Sequence, residues 1–275
     1  MELLSSDESL FVNPGILEQS YLPRLLPYRE GQQQYLAECI KHLFEKRNGR
    51  NIMISGSPGI GKTACIKFIL RTLREHAENV TPIYVNCWKK DTTQKIINEI
   101  AAQLDIKTVG MAGDQVFDMI LQKMNKYQGI VFAFDEIDKV QDYDFLYRIA
   151  EDVPFKTMFL ITNAPEWAAK LDQRLMSRLM LEREDFKPNS FEETRGILRE
   201  REKYAFVPNV WDYNAFENLI AKTFELKDLR AGLFLMKRAG EIAEARASRK
   251  IEEEDIKKAS EKLKDFYEKP ISKFI

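Results

Sequence analysis

Cysteine and histidine are scarce in this chain of 275 residues, which has only three of the former and two of the latter. Cys39, Cys65 and Cys87 are widely spaced and form no CxxC pair, which argues against a disulfide framework and a cysteine–histidine zinc site. Excess charge of one sign is also lacking, because 42 Lys and Arg nearly balance 43 Asp and Glu. Nucleic-acid binding through bulk charge is therefore excluded, and any such site must be a local patch.

Long apolar runs are missing as well, since no stretch approaches the roughly 20 residues that a membrane helix needs. The first ten residues, MELLSSDESL, lack the basic start and apolar segment of a secretory signal. Hydrophobic residues still make up 44% of the chain and aromatic residues 11%, which is enough for a packed core. We therefore expect a globular protein with no membrane contact, located in the cytoplasm, or in the nucleus if the source is eukaryotic.

Short apolar runs alternate with helical patterns up to residue 187, and only helical periodicity follows. Five runs are predicted to be strands: residues 51–54, 82–85, 130–134, 158–161 and, more weakly, 179–181. Nearly all-apolar strands separated by helices indicate a parallel sheet that is covered on both faces. The predicted organisation is an α/β core over residues 21–187 and a helical domain over 188–266, with a polar lead-in (1–20) and a tail (267–275).

Residues 56–63, GSPGIGKT, match the phosphate-loop pattern GxxxxGK[ST] between a predicted strand and a predicted helix. Glycines in such a loop allow successive N–H groups to point at phosphate oxygens. Lys62 is expected to reach the β- and γ-phosphates, and the Thr63 hydroxyl to bind Mg²⁺. The full set of predicted nucleotide contacts in this segment is Gly56, Ser57, Pro58, Gly59, Ile60, Gly61, Lys62, Thr63 and Ala64.

Carboxylates follow the third apolar run, in the segment FAFDEID at residues 132–138. The carboxyl ends of parallel strands face the ligand crevice, so these side chains are expected near the phosphate loop. Asp135 is predicted to hold Mg²⁺. Glu136 is the candidate base that orients and deprotonates the attacking water.

This order of motifs resembles the AAA+ ATPases, and within them the archaeal and eukaryotic origin-recognition and cell-division-control replication initiators. The resemblance runs from about Tyr21 to Leu263. It implies an α/β fold with the AAA+ five-stranded parallel sheet and a small all-helical lid, with ATP and Mg²⁺ as ligands. The segment YLPRLLPYRE before the first helix resembles the part that lines the adenine pocket, which implies adenine-side roles for Leu26, Pro27 and Arg29.

Three further polar residues match functional positions of that family. Asn163, at the end of the fourth predicted strand, matches sensor 1, an amide that lies between the γ-phosphate and the attacking water; the alternative is a strand-end turn cap. Arg178, predicted at the start of the fifth strand, matches the arginine finger that reaches a neighbouring subunit's ATP. Arg174 is the second candidate for that role, and two solvated surface arginines are the alternative.

The segment LKDLR at residues 226–230 resembles sensor 2, the lid motif that contacts the γ-phosphate through Arg230. Here Lys227 stands where the family usually has glycine, and Leu229 stands where it has a small residue. This departure affects the expected geometry of the lid, while Asp228 and Arg230 keep their spacing. A helix-surface arginine paired with a nearby carboxylate is the alternative.

Two features bear on DNA binding. Full-length initiators carry a winged-helix DNA-binding domain after the lid, and residues 267–275 are too few to form one, so we expect no origin binding by that route. The family's other DNA contact follows the second strand, where this chain has a small basic cluster: Trp88, Lys89, Lys90 and Lys95. A cluster of this size also fits a solvated face.

The sequence therefore predicts an ATP-binding AAA+ protein in which MgATP binding and slow hydrolysis switch the conformation. Its expected partners are a neighbouring AAA+ subunit, either a second copy or a paralogue, and duplex DNA. Two alternatives remain: a clamp-loader-like or transposition-helper ATPase, and a nucleotide-stabilised scaffold that hardly hydrolyses ATP. DNA-stimulated turnover distinguishes the first, and the presence of Glu136 and Asn163 argues against the second.

Overall fold

The structure, a computed structural model, describes residues 9–268. Its contacts divide the chain into two compact units. The first, here called the core, comprises Arg24–Lys187. The second, called the lid unit, comprises the residues up to Pro23 together with those from Pro188 onward.

The core is built on five strands: β1 (Ile52–Ser55), β2 (Val80–Asn86), β3 (Gly129–Asp135), β4 (Lys156–Ile161) and β5 (Glu182–Asp185). They form one sheet in the order β2-β3-β4-β1-β5, and every neighbouring pair is parallel. This confirms the predicted five-stranded parallel sheet. Six helices accompany it: α1 (Glu30–Ile40), α2 (Lys62–His76), α3 (Thr93–Gln103), α4 (Gly113–Met124), α5 (Asp144–Asp152) and α6 (Gln173–Leu179).

Side chains of the central strands alternate between two apolar layers, as the twofold period of a strand requires. Phe132 and Phe134 of β3 pack in a cluster with residues of α3, α4, α5 and α6. Val131 and Ala133 of the same strand belong to a second cluster with residues of α1 and α2. Every residue of β3 is buried, which explains why the strand reads as an uninterrupted apolar run.

The predicted position of the fifth strand was wrong. The strand does not include residues 179–181. It begins at Glu182, which lies opposite Ile52 in the parallel pairing of β5 with β1. Three of the four residues of β5 are exposed, because the strand lies at the edge of the sheet. An edge strand can be polar, so the apolar signal three residues earlier, which includes the buried Leu179 at the end of α6, was misleading.

The lid unit contains four helices: α7 (Phe191–Ala205), α8 (Tyr213–Leu226), α9 (Leu229–Ala245) and α10 (Glu253–Glu268). A capping box starts α7, in which the Ser190 hydroxyl accepts from the Glu193 N–H and the Glu193 carboxylate accepts from the Ser190 N–H. The helices enclose an apolar cluster that includes Leu198, Phe216 and Leu235. None of the helices in the described range combines the length and apolar character needed to cross a membrane.

The described part of the polar lead-in packs into the lid unit. Residues 9–23 pack with α7 and α9 and place Leu10, Ile16 and Leu17 in the apolar cluster of the lid unit. Phe11 forms an antiparallel bridge with Phe206. These apolar residues are scattered among polar ones, so no periodic pattern marks this packing in advance. Residues 1–8 and 269–275, parts of the predicted lead-in and tail, lie outside the described residues.

Candidate functional site

The phosphate-loop segment connects β1 to α2, as predicted. Gly56, Gly59 and Gly61 have φ angles of 139°, 74° and 100°, a region that L side chains rarely adopt. At Gly56 a Cβ atom would also lie only 2.5 Å from the carbonyl oxygen of Phe186. Both the backbone conformation and the close packing therefore require glycine at this position.

Lys62 lies at the first turn of α2 with its side chain directed back over the loop. Its ammonium donates to the carbonyl oxygens of Gly56 (2.6 Å) and Ser57 (2.8 Å) and to Oδ1 of Asn163 (2.7 Å). The residue is only 6% exposed. The structure thus brings together the predicted phosphate lysine and the predicted sensor 1 amide, which are 101 positions apart in the chain.

Asp135 ends β3 and is 3% exposed. Its Oδ2 accepts a hydrogen bond from the Thr63 hydroxyl at 2.8 Å and another from the Tyr84 hydroxyl at 2.7 Å. Tyr84 is a site residue that the sequence reasoning missed, although its place in β2, beside β3, was predictable. Burial and the neighbouring Asp135 carboxylate raise the pKa of Tyr84, so its hydroxyl remains a donor to that carboxylate.

Glu136 leaves the sheet in a left-handed conformation, with φ 56° and ψ 45°. Non-glycine residues seldom adopt these angles, and such conformations concentrate at functional sites. The Glu136 N–H donates to Oδ1 of Asp135 at 3.1 Å, which turns the chain sharply after β3. The Glu136 side chain is half-buried, next to the predicted metal ligand in sequence.

Asp138 supports the end of β4 and is not aimed at the phosphate loop. Its Oδ1 accepts from the Thr162 hydroxyl at 2.8 Å, and its Oδ2 pairs with Lys139 at 2.8 Å. Burial alone would raise the pKa of Asp138, but the hydrogen bonds from Lys139 and Thr162 outweigh it and lower that pKa. Asp138 therefore stays ionised and fixes Thr162, the residue that precedes Asn163.

The oxygen donors of Thr63 and Asp135 fit a magnesium ion. Mg²⁺ prefers oxygen ligands and is commonly held by one or two protein groups together with waters and substrate phosphates. A hydroxyl and a buried carboxylate already lie within hydrogen-bond distance of each other here. Within residues 9–268 there is no group of three or more His, Cys, Asp or Glu side chains that could hold a metal ion.

The three residues predicted on the adenine side lie just before α1. Leu26 packs against the apolar cluster that contains α1 and α2, and its carbonyl accepts from Gln33. Pro27 is half-buried. Arg29 is 7% exposed, and its guanidinium donates to backbone carbonyls, including that of Ile60 in the phosphate loop at 3.0 Å.

Arg178 is the penultimate residue of α6 and does not lie at the start of the fifth strand, so that part of the prediction was wrong. Its side chain pairs with Glu151 of α5 and lies over the ring of Tyr147, 4.7 Å from the centroid. The Glu151 carboxylate raises the pKa of Arg178. Arg174, the second candidate, is exposed on the same helix.

The sensor 2 segment lies between α8 and α9 in the lid unit. Lys227 has φ 52° and ψ 28°, the left-handed conformation that glycine adopts at no cost, so the residue type usual in the resembling family fits this backbone. Asp228 caps α9 and accepts from the Arg230 N–H at 2.9 Å. The Arg230 guanidinium folds back onto the same carboxylate, with bonds of 3.0 and 2.8 Å.

The basic cluster after β2 is largely neutralised by neighbouring carboxylates. Lys90 pairs with Glu99 at 3.2 Å, and Lys95 pairs with Asp91 at 2.7 Å. Trp88 is 63% exposed. Because two of the three lysines are paired, this surface attracts phosphates weakly, which favours the solvated-face interpretation.

Two family models match the chain over most of both units. The AAA domain matches residues 45–164, and the Cdc6 AAA+ ATPase-type lid domain matches residues 195–261. The boundaries of these matches place the phosphate loop, Asp135, Glu136 and Asn163 in the first and Arg230 in the second.

Several known proteins are similar along nearly the full chain. An ORC1-type DNA replication protein from Pyrococcus furiosus is 30% identical over 282 residues, which cover 95% of this chain and 67% of the relative. ORC1-type DNA replication protein 2 from Methanothermobacter thermautotrophicus is 31% identical, covering 94% and 72%. Among solved structures, the Aeropyrum pernix ORC1 protein in complex with DNA has a TM-score of 0.83 at 27% identity, covering 94% of this chain and 71% of that one.

Proposed function

Because the chain belongs to the ORC1/Cdc6-type replication initiator family of AAA+ ATPases, we propose that it binds MgATP and uses slow hydrolysis as a conformational switch. The observation that carries this proposal is the convergence of residues from three separate segments: Lys62 and Thr63 after the phosphate loop, Asp135 at the end of β3 and Asn163 after β4. A buried ammonium is costly unless acceptors satisfy it, and the two loop carbonyls and the Asn163 amide oxygen do so here. Phosphate oxygens carry negative charge and would be stronger acceptors for the same ammonium.

In this proposal the loop N–H groups and Lys62 bind the β- and γ-phosphates. Lys62 exchanges its present carbonyl acceptors for phosphate oxygens, and Asn163 stays close enough to orient the γ-phosphate. Thr63 and Asp135 would hold Mg²⁺, which supplies charge neutralisation at the phosphates. Glu136 orients the attacking water and accepts its proton.

The protein partners follow from the two arginines. We propose that Arg178 acts on ATP bound to a neighbouring AAA+ subunit, a second copy or a paralogue, whereas Arg230 acts from the lid unit of its own chain.

Leu26, Pro27 and Arg29 stay proposals for the adenine side. Since a similar ORC1 protein has been solved in complex with DNA, duplex DNA is the proposed further partner, with weak contact expected from the neutralised cluster near Trp88.

The experiment is ATP binding by calorimetry and ATP turnover by the purified protein, with and without duplex DNA. Wild type should bind MgATP, and Lys62→Ala should abolish or strongly weaken that binding, because Lys62 supplies the ammonium that contacts the loop carbonyls at the predicted phosphate position. Lys126→Ala, an exposed lysine beyond α4, is the control. Unchanged ATP affinity in Lys62→Ala would contradict the assignment, and strong stimulation by DNA would favour the clamp-loader-like or transposition-helper alternative.

A further inference from the structure

Arg29 occupies an unusual place in the connectivity of the chain. The main chain passes between the two units twice, after Pro23 and after Lys187. Arg29 lies shortly after the first crossing, and its Nη2 donates to the carbonyl oxygen of Lys187, the last core residue before the second crossing, at 3.2 Å. The same nitrogen donates to the carbonyl oxygen of Ile60 at 3.0 Å. One buried guanidinium therefore joins the phosphate loop to the segment that leaves the core.

The segment before the second crossing also touches the phosphate loop directly. The Phe186 N–H donates to the carbonyl oxygen of Ser55 at 2.9 Å, and the Ser55 hydroxyl donates to Asp185. The Phe186 carbonyl is the atom that a Cβ at Gly56 would meet. The Cζ atom of the Arg29 guanidinium lies 5.7 Å from the centroid of the Phe186 ring. Residues 185–187 are thus fitted onto the loop at several points, with Arg29 covering them.

We propose that Arg29 is a positioning residue that couples the phosphate loop to the second crossing. An ATP molecule that reshapes the loop around Ile60 then also shifts or fixes residues 185–187, from which α7 and the lid unit continue. This inference rests on the proposed binding of ATP to the loop. It gives Arg29 a second role beside the adenine-side placement proposed above, carried by three hydrogen bonds from its guanidinium to backbone carbonyls.

The chemistry of the contact requires arginine. A planar guanidinium carries five N–H donors in a fixed fork and can bridge the carbonyls of Tyr28, Ile60 and Lys187 simultaneously. A lysine keeps the charge, but its side chain is shorter and ends in one nitrogen, so it cannot reproduce the rigid two-nitrogen fork that contacts Tyr28 through Nη1 and both Ile60 and Lys187 through Nη2. Arg29→Lys therefore weakens the bridge with the smallest change in packing, and Arg29→Ala removes it.

The test combines two measurements on wild type, Arg29→Lys, Arg29→Ala and the control Arg24→Ala, an exposed arginine of the same segment. The first is hydrogen exchange in peptides that span residues 182–190, with and without MgATP. The second is calorimetric affinity for MgATP and for magnesium tripolyphosphate, which has the phosphates and no base. Circular dichroism verifies that each variant is folded.

In wild type and Arg24→Ala, MgATP should slow exchange in residues 182–190. Arg29→Ala should lose this protection and Arg29→Lys should keep at most part of it, and Arg29→Ala should bind MgATP and tripolyphosphate more weakly by the same factor, about tenfold for the loss of charge-assisted hydrogen bonds. Protection that persists in full in Arg29→Ala overturns the inference. A loss of affinity for ATP alone also overturns it and assigns Arg29 to the adenine. A wild type that binds no MgATP overturns the proposed function itself.

Discussion

At the scale of single residues, the proposed site separates the groups assigned to the nucleotide from the group assigned to the attacking water. Lys62 bonds to two loop carbonyls and to Asn163, whereas Glu136 is turned out of β3 by its left-handed backbone. A residue kept in a costly conformation directly after a buried strand indicates a functional demand. This geometry supports different expectations for substitutions at neighbouring positions.

Glu136→Gln should leave MgATP bound and slow hydrolysis by about 10²-fold or more, because the amide cannot accept the proton of the attacking water. The shape and most hydrogen-bonding capacity of the side chain are kept, so binding is preserved. Calorimetry gives the affinity, and single-turnover hydrolysis gives the rate for bound ATP. The assignment fails if affinity collapses while bound ATP is hydrolysed at the wild-type rate.

Tyr84→Phe tests whether the Tyr84 hydroxyl helps to position Asp135, the proposed Mg²⁺ ligand. The substitution removes one of the two hydroxyl donors to Oδ2 of Asp135 and leaves Thr63 as the other. Since groups that orient a metal ligand typically contribute tenfold or more to metal affinity, the Mg²⁺ concentration for half-maximal ATP binding should rise about tenfold. ATP affinity measured without Mg²⁺ should be unchanged.

The matched control for this variant is Tyr35→Phe, which removes a hydroxyl bonded to Glu182 away from the site. It should leave the Mg²⁺ dependence as in wild type. An identical Mg²⁺ dependence in Tyr84→Phe and wild type would show that Tyr84 merely fills space beside β3.

At the scale of secondary-structure elements, apolar runs predicted the central strands, and the periodic spacing of apolar residues predicted the principal helices. β1, β3 and β4 are buried on both faces, and buried parallel strands leave an apolar run that can be recognised without a structure. The phosphate loop and the acidic strand end could be placed for the same reason, since both follow such runs. β5 could not, because an edge strand needs no apolar residues.

The end of α8 at Lys227 allows a prediction about the stability of the protein. Because Lys227 ends α8 in a left-handed conformation, Lys227→Gly should raise the free energy of unfolding by about 0.5–1 kcal/mol, the left-handed penalty less the extra freedom of glycine in the unfolded chain. Lys222→Gly, in the middle of the same helix, should lower it by about 1 kcal/mol. Denaturant unfolding followed by circular dichroism measures both, and a loss of stability in Lys227→Gly would contradict this account.

At the scale of the whole molecule, the packing of the N-terminal segment could not be read from the sequence. Leu10 and Ile16 contribute to a cluster whose other members come mainly from residues after 190, and no local pattern marks contacts over such separations. The Ser9 hydroxyl and the Leu10 N–H both bond to Glu244, and Lys237 pairs with Glu18. The chain that precedes the first crossing is therefore held by packing, hydrogen bonds and an ion pair within the lid unit.

Assembly is the level at which Arg178 is expected to act. Its side chain contacts Glu151 and Tyr147 of α5 and not the phosphate loop, and an exposed ion pair of this kind is readily exchanged for a stronger partner. We therefore expect low turnover by the isolated chain and a rise in turnover per subunit with protein concentration or with an AAA+ partner.

Arg178→Ala should remove that rise with ATP affinity nearly intact, whereas Arg230→Ala should alter the nucleotide response even at low concentration. Arg174→Ala is the control for the second candidate on α6. A fully active chain at low concentration that is insensitive to Arg178→Ala would leave Arg178 an ordinary surface residue and remove the case for an ATP-bridged assembly.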